Sequence, residues 1–151
     1  MSETHLWKSP QIVPALAYDD VPKAVEWLTR VFGFRERTEA RLTGVGWVLT
    51  WMEIGDGLIR LGTVGGHDLR SPKRIGGVSQ SLRVYVDDVD QHFERAKAGG
   101  ATIISELEDR FSGGRIYRAE DYEGHRWEFS QSGRELAAKD WKLPDGVNRN
   151  G

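Results

Sequence analysis

The chain has 151 residues, which is enough for one domain or two very small ones. Its formal net charge of −2 disfavours a general nucleic-acid-binding protein, which would carry a strongly basic face. The chain has no cysteine, which excludes disulfides, thiolate metal sites and a cysteine nucleophile. The polar N-terminus and the lack of a long apolar run predict no signal peptide and no membrane span, so we expect a cytoplasmic protein.

The first half of the chain predicts a strand, a helix and then three strands. Asp19 and Asp20 form the N-terminal cap of the helix, and Gly33 ends it. The buried stripe of this helix is expected to comprise Val21, Ala24, Val25, Leu28 and Phe32. The strands are expected at residues 12–18, 34–42, 46–54 and 58–64.

The second half predicts the same order of elements. It follows residues 65–77, a glycine-rich segment without periodicity that is interpreted as a connector or, alternatively, as a mobile lid. Asp88 and Gln91 form a capping box at the start of the second helix. Its buried stripe is Val89, Phe93 and Ala96, and the strands are expected at residues 78–86, 101–107, 115–121 and 126–131. The sequence of the tail, residues 133–151, predicts a short helical piece over 135–139. We expect the tail to fray unless Trp141 docks on the domain.

The segment D-Y-E-G-H-R-W-E-F, residues 121–129, predicts a tight turn that leads into a strand. Gly124 tolerates the positive φ that such a turn requires. Period-two alternation then places Trp127 and Phe129 on one face and Glu128 on the other. Glu128 is interpreted either as a surface carboxylate paired with Arg126 or as a functional group.

The two halves repeat each other. Asp19-Asp20-Val21 recurs as Asp87-Asp88-Val89, at an offset of 68 residues (87 − 19). The order of elements recurs with it. A duplicated βαβββ unit leaves one face of each sheet without a helix, and two such faces set side by side enclose a cleft.

Several of these segments resemble the vicinal oxygen chelate superfamily, which includes glyoxalase I, bleomycin-resistance proteins, fosfomycin-resistance enzymes and extradiol dioxygenases. They are the paired D-D-V helix starts, W-L-T-R-V-F-G-F (27–34), V-Y-V-D-D-V-D (84–90) and E-D-Y-E-G-H-R-W-E-F (120–129). The resemblance implies an α+β fold in which two βαβββ modules form an open barrel with a central cleft, and it implies a homodimer. The domain would span residues 11–131, with modules 11–64 and 78–131 joined by 65–77 and flanked by extensions 1–10 and 132–151.

The resemblance also implies four ligand positions in the superfamily's metal enzymes. The closing motif and the offset of 68 place them at Val13, Arg60, Ser81 and Glu128. Only Glu128 binds a divalent metal well, because valine has no lone pair, arginine is a cation and serine is a poor ligand. We therefore expect no metal cofactor. The four histidines, His5, His67, His92 and His125, show no metal-ligand spacing and are expected at the surface, with His125 the exception to watch.

Alternation predicts which side chains face the cleft and contact a ligand. The predicted ligand-binding residues are Trp47, Trp51, Arg60, Ser81, Arg83, Tyr85, Arg126 and Glu128. In one hypothesis Arg60 pairs with Glu128 in place of a metal. The first functional reading is a metal-free protein that sequesters a planar, drug-like molecule by aromatic stacking. The alternative is a glyoxalase-like lyase or isomerase, or a dioxygenase-related enzyme, with Glu128 as its catalytic base or as a lone carboxylate ligand. A third is a domain whose cleft binds nothing of consequence.

Overall fold

The computed structural model describes residues 3–63 and 68–149, and the chain divides into two compact units, residues 1–75 and 76–151. The first unit contains β1 (Ala15–Ala17), α1 (Val21–Phe32), β2 (Arg35–Glu36), a 3-10 helix (Thr38–Ala40), β3 (Leu42–Gly44), β4 (Trp47–Ile54), β5 (Gly57–Gly62) and α2 (Pro72–Ile75). The second contains β6 (Ser81–Val86), α3 (Val89–Gly99), β7 (Thr102–Asp109), β8 (Arg115–Glu120), β9 (Arg126–Gln131) and a 3-10 helix (Ala138–Asp140). No helix in the described ranges is long and apolar enough to cross a membrane.

Each unit is a twisted sheet with one long helix packed against it. In the first unit the strand order is β1-β5-β4-β2, with β3 also paired to β4, and β1 runs parallel to β5. In the second the order is β6-β9-β8-β7, and β6 runs parallel to β9. The predicted α+β fold of two βαβββ units is confirmed.

The two long helices begin and end by the same chemistry, as their sequence spacing predicts. Asp20 accepts a hydrogen bond from the Lys23 backbone N–H at 3.1 Å, and Asp88 accepts one from Gln91 N–H at 3.0 Å. Gly33 and Gly100 end the helices in the left-handed conformation, which a residue without Cβ adopts at no steric cost. The two predicted stripes are buried, so the caps and stripes of both helices are confirmed.

The internal repeat extends to the register of the sheets. Ala15 pairs with Arg60 across β1 and β5, and Arg83 pairs with Glu128 across β6 and β9. Both members of the second pair lie 68 residues after those of the first (15 + 68 = 83; 60 + 68 = 128). The offset inferred from the helix caps therefore also identifies equivalent positions on the parallel strands.

Four predicted elements differ from the structure. Residues 12–18 contribute only the three-residue strand β1. Residues 34–42 are not one strand, because a 3-10 helix at Thr38–Ala40 separates β2 from β3. The connector contains the short helix α2, and residues 64–67, which include His67 and the end of one predicted strand, lie outside the described residues. The expected helical piece at 135–139 is replaced by a 3-10 turn at Ala138–Asp140.

The described part of the C-terminal tail, residues 133–149, docks on the second unit. Leu136 N–H donates to the Ser112 carbonyl at 2.8 Å, and Lys142 N–H donates to the Phe111 carbonyl at 3.1 Å. The Trp141 ring meets the Phe111 ring edge-on, with centroids 5.9 Å apart. The sequence predicts that the tail is ordered only if Trp141 docks, and the Trp141 ring does dock on Phe111.

Candidate functional site

The face of the second sheet opposite α3 is charged. We call it the charged face, and it is the side that carries Arg83, Arg118 and Glu128 on β6, β8 and β9. Trp127 and Phe129 point to the other side and are buried, as the alternation predicts. The strand register places Arg83 and Arg118 on either side of Glu128.

Glu128 accepts hydrogen bonds from two guanidinium groups. Arg118 Nε lies 2.7 Å from one carboxylate oxygen, and a terminal nitrogen of Arg83 lies 3.3 Å from the other. Only 15% of the Glu128 side chain is exposed. Burial alone would raise the pKa of this carboxyl, but the hydrogen bond from Arg118 and the charges of both arginines hold the pKa below its ordinary value. Glu128 is therefore ionised and charge-compensated.

Besides Glu128, Arg118 contacts two further residues of this face. One of its terminal nitrogens lies 3.2 Å from Glu108 and 3.3 Å from the Ser105 hydroxyl, both on β7. The interpretation of Glu128 as the partner of Arg126 is wrong, because Arg126 donates to Glu120 at 2.8 Å. The sequence reasoning missed Arg118, whose position follows only from the antiparallel register of β8 and β9.

A cavity of about 310 Å³ opens on the charged face. Its lining residues are Val78, Ser79, Gln80, Ser81, Ile104, Arg118, Arg126, Trp127 and Glu128. Three predicted ligand-binding residues, Ser81, Arg126 and Glu128, therefore line one space. A cavity of this size with a few polar groups is typical of small-molecule sites.

The remaining predicted residues of this unit lie along the first strand. Arg83 contacts Glu128 from the strand beside it, and the side chain of Tyr85 is 52% exposed. Tyr85 pairs in register with Ser130, which is fully buried. Arg83 belongs to the charged face, and neither Arg83 nor Tyr85 lines the cavity.

The turn before β9 is held by a buried carboxylate. Asp121 accepts hydrogen bonds from the backbone N–H groups of Glu123 and His125 and from the indole Nε1–H of Trp127, each at 3.1 Å. Asp121 and Glu123 are 3% and 0% exposed. This network fixes the strand on which Glu128 lies.

Two histidines are not where the sequence reasoning expected them. His125 is buried at this turn, and the His92 ring contacts that of Phe129 with centroids 4.1 Å apart and planes inclined by 32°. The His92 ring nitrogen Nδ1 lies 2.5 Å from the Tyr117 hydroxyl. The expectation of a surface position is wrong for His125, the exception to watch, which is 7% exposed. It is wrong in part for His92, which is half-buried because its ring contacts the core aromatic ring of Phe129. His5 is exposed, as expected.

The predicted residues of the first unit share the face of its sheet opposite α1. Trp51 pairs with Arg60, while their neighbours Thr50, Met52 and Leu61 are buried on the other side. Trp47 is 44% exposed. Its ring covers Gly44, where an added Cβ would overlap the indole. The predicted Arg60–Glu128 pair would join the two units and stays a prediction.

Comparisons with known proteins identify the family. Residues 10–129 match the Glyoxalase/Bleomycin resistance protein/Dioxygenase superfamily. The chain belongs to this superfamily. The resemblance stated from the sequence is thereby confirmed.

Three known proteins are similar to this chain. TioX from Micromonospora sp. ML1 is 35% identical, the match covers 82% of this chain and 98% of that chain, and the TM-score is 0.65. A fosfomycin resistance protein, FosX, from Listeria monocytogenes is 17% identical over 82% of this chain and 91% of its own, with a TM-score of 0.59, and shows the shared fold alone. An uncharacterized protein of Mycobacterium bovis is 28% identical over 84% of this chain and 86% of its own length.

The residues at the superfamily's metal positions do not fit a divalent metal. Arg83 and Arg118 occupy the carboxylate oxygens of Glu128, and a metal would have to displace at least one guanidinium. Within residues 3–63 and 68–149, no three histidine, aspartate or glutamate side chains are grouped as a metal site requires. We therefore derive no reaction step that uses a metal.

Proposed function

We propose that this chain is a small-molecule-binding protein of the superfamily and binds a planar or aromatic ligand without a metal. The observation that carries the proposal is the cavity of about 310 Å³ on the charged face, where Arg118, Arg126 and Glu128 converge beside the apolar side chain of Ile104. Such a site holds a molecule of a few rings and orients it with hydrogen bonds. The polar groups select a ligand that carries both acceptors and donors.

The state of Glu128 favours binding over catalysis. A general base works best when its pKa lies near the working pH. The two arginines instead hold the pKa of Glu128 below its ordinary value, so this carboxylate is a weak base. A ligand would gain from charge-assisted hydrogen bonds to Arg118, whose guanidinium Glu128 holds in place. The glyoxalase-like lyase or isomerase remains the alternative, to be tested by turnover of a 2-oxoaldehyde adduct.

The experiment is a thermal-shift screen of planar antibiotics against the purified chain, followed by calorimetric titration of each compound that binds. Arg118→Ala should weaken binding at least about tenfold, since the charge-assisted hydrogen bonds of this side chain are lost. The matched control is Arg115→Ala. Arg115 lies on the same strand, is 43% exposed against 37% for Arg118, and pairs with Asp90 outside the cavity.

The control variant should bind as the unchanged chain does. Equal loss in both variants would show that strand β8 is merely destabilised and would contradict the proposed site. The homodimer and the cytoplasmic location are part of the same proposal. Light scattering of the purified chain at micromolar concentration tests the homodimer, which a monomer mass would contradict.

A further inference from the structure

The N-terminal segment of the chain lies on the sheet of the first unit. Trp7 meets Trp51 edge-on, with ring centroids 5.6 Å apart and planes inclined by 64°. Trp51 belongs to the face of the sheet opposite α1. We call residues 3–10 the leader, and the contact of the Trp7 ring with Trp51 anchors it to this sheet.

Arg37 holds the same ring from a second side. Its guanidinium carbon lies 4.2 Å from the Trp7 ring centroid. Arg37 is fixed in turn, because Nε donates to Glu53 at 2.8 Å and a terminal nitrogen donates to the Lys8 carbonyl at 3.1 Å. The Arg37 side chain is only 17% exposed. A cation over an aromatic face attracts the ring's negative π-electron density.

The Trp7 indole itself remains open to solvent. It is 48% exposed, and residues 3–9 around it are all exposed. A cavity of about 350 Å³ adjoins the contact, lined by the leader residues Lys8, Ser9 and Pro10, by Arg37 and Glu53, and by residues 55–57. The Trp7 indole contacts Trp51 and Arg37 but is otherwise open to solvent, so an aromatic ring of a ligand could take its place. The cavity beside it has room for the rest of that ligand.

We infer that Trp51 and Arg37 form a binding subsite for an electron-rich planar aromatic ring, and that Trp7 of the same chain occupies this subsite until a ligand displaces it. The inference rests on the proposed function and names a second place at which the ligand's aromatic part binds. Arg37 makes the subsite selective. Neutral electron-rich rings such as indole are accepted, whereas cationic rings are repelled by the guanidinium.

The test uses the full chain, Trp7→Ala and Trp141→Ala, each ¹⁵N-labelled, with indole as the probe. Trp141→Ala is a matched control, because Trp141 is also an indole from a terminal segment that meets another ring edge-on, and it is 37% exposed. The readout is the Nε1–H resonance of Trp51, assigned with Trp51→Phe. In Trp7→Ala this resonance should shift at about tenfold lower indole concentration than in the other two chains, because the subsite no longer has an internal competitor.

Three results would overturn the inference. One is an equal midpoint in Trp7→Ala and the unchanged chain. Another is a Trp51 resonance that indole leaves unmoved in Trp7→Ala. The third is an equal response to N-methylquinolinium, a cationic ring, which would contradict the role of Arg37. The experiments distinguish failure of the Trp7 inference from failure of the proposed function. Screen compounds whose binding depends on Arg118 would still support that function, and an indole response without any screen compound binding would contradict only the function.

Discussion

Arg118 Nε donates to Glu128 at 2.7 Å, at a position where the superfamily's metal enzymes are expected to carry a ligand. Arg83 contacts the second oxygen of the same carboxylate. The negative charge that would bind a cation is thus neutralised by side chains of the same sheet. A metal could bind this carboxylate only by displacing at least one of the two guanidinium groups.

The Arg118–Glu128 pair predicts a pH dependence of stability. The folded-state pKa of Glu128 lies below its unfolded value of about 4.3. The ion pair therefore stabilises the fold above about pH 4.3, and this contribution is lost as the pH falls through the lower folded-state pKa. Glu128→Gln should be less stable than the unchanged chain near neutral pH, and the difference in free energy of unfolding should shrink under acid conditions.

The measurement is urea unfolding across a pH series. The control is Glu26→Gln, which removes an exposed glutamate paired with Arg30 on α1. Its effect should be small at every pH, because exposed ion pairs contribute little. A Glu128→Gln difference that stays constant as the pH falls would contradict the assigned pairing.

The buried hydrogen bonds of Asp121 predict that replacing this residue lowers the free energy of unfolding strongly. It is 3% exposed and accepts two backbone hydrogen bonds and one from the indole of Trp127. Asp121→Ala leaves these donors without an acceptor and should cost about 2–4 kcal/mol in the free energy of unfolding. Asp121→Asn keeps one acceptor oxygen and should cost less. Asp56→Asn, at an exposed turn, is the control, and a change below about 0.5 kcal/mol for Asp121→Ala would refute this role.

The close contact between Gly44 and the Trp47 ring predicts that a larger residue at position 44 displaces this ring. An added Cβ at Gly44 would overlap the indole ring, so Gly44→Ala must move the ring away from the sheet. The tryptophan emission maximum of Gly44→Ala should shift towards red relative to the unchanged chain as the Trp47 ring enters solvent, since the other five tryptophans are the same in both. Gly77→Ala is the matched control, because a Cβ there meets no atom within 4 Å and the emission should not change. An unchanged spectrum in Gly44→Ala would show that the ring does not lie over Gly44.

Both long helices were predictable from sequence because capping and periodicity are local signals, and the repeat was predictable because the second half reproduces those signals. Asp20 and Asp88 are caps with the expected acceptor role, and the offset of 68 residues also fixes the equivalence of Arg60 and Glu128. Strand β9 has the predicted bounds, since alternating buried aromatics and polar residues define both of its ends. The caps and the strand alternation require only neighbours a few residues apart, whereas the offset requires a comparison of the two halves.

The partners of Glu128 and the position of the leader were not predictable in the same way. Arg118 reaches Glu128 through the antiparallel register of two strands, and that register depends on the whole sheet. Trp7 reaches Trp51 across 44 residues of chain (51 − 7), with no local pattern to indicate it. The 3-10 helix at Thr38–Ala40 likewise interrupts a stretch whose weak alternation resembles one strand.

The most direct test of the central claim is a calorimetric titration of a planar compound from the screen into the chain before and after exhaustive treatment with a metal chelator. Our account predicts saturable binding of the same affinity in both preparations, and loss of at least about tenfold in Arg118→Ala. Binding that disappears with the chelator and returns with a divalent metal would contradict the account.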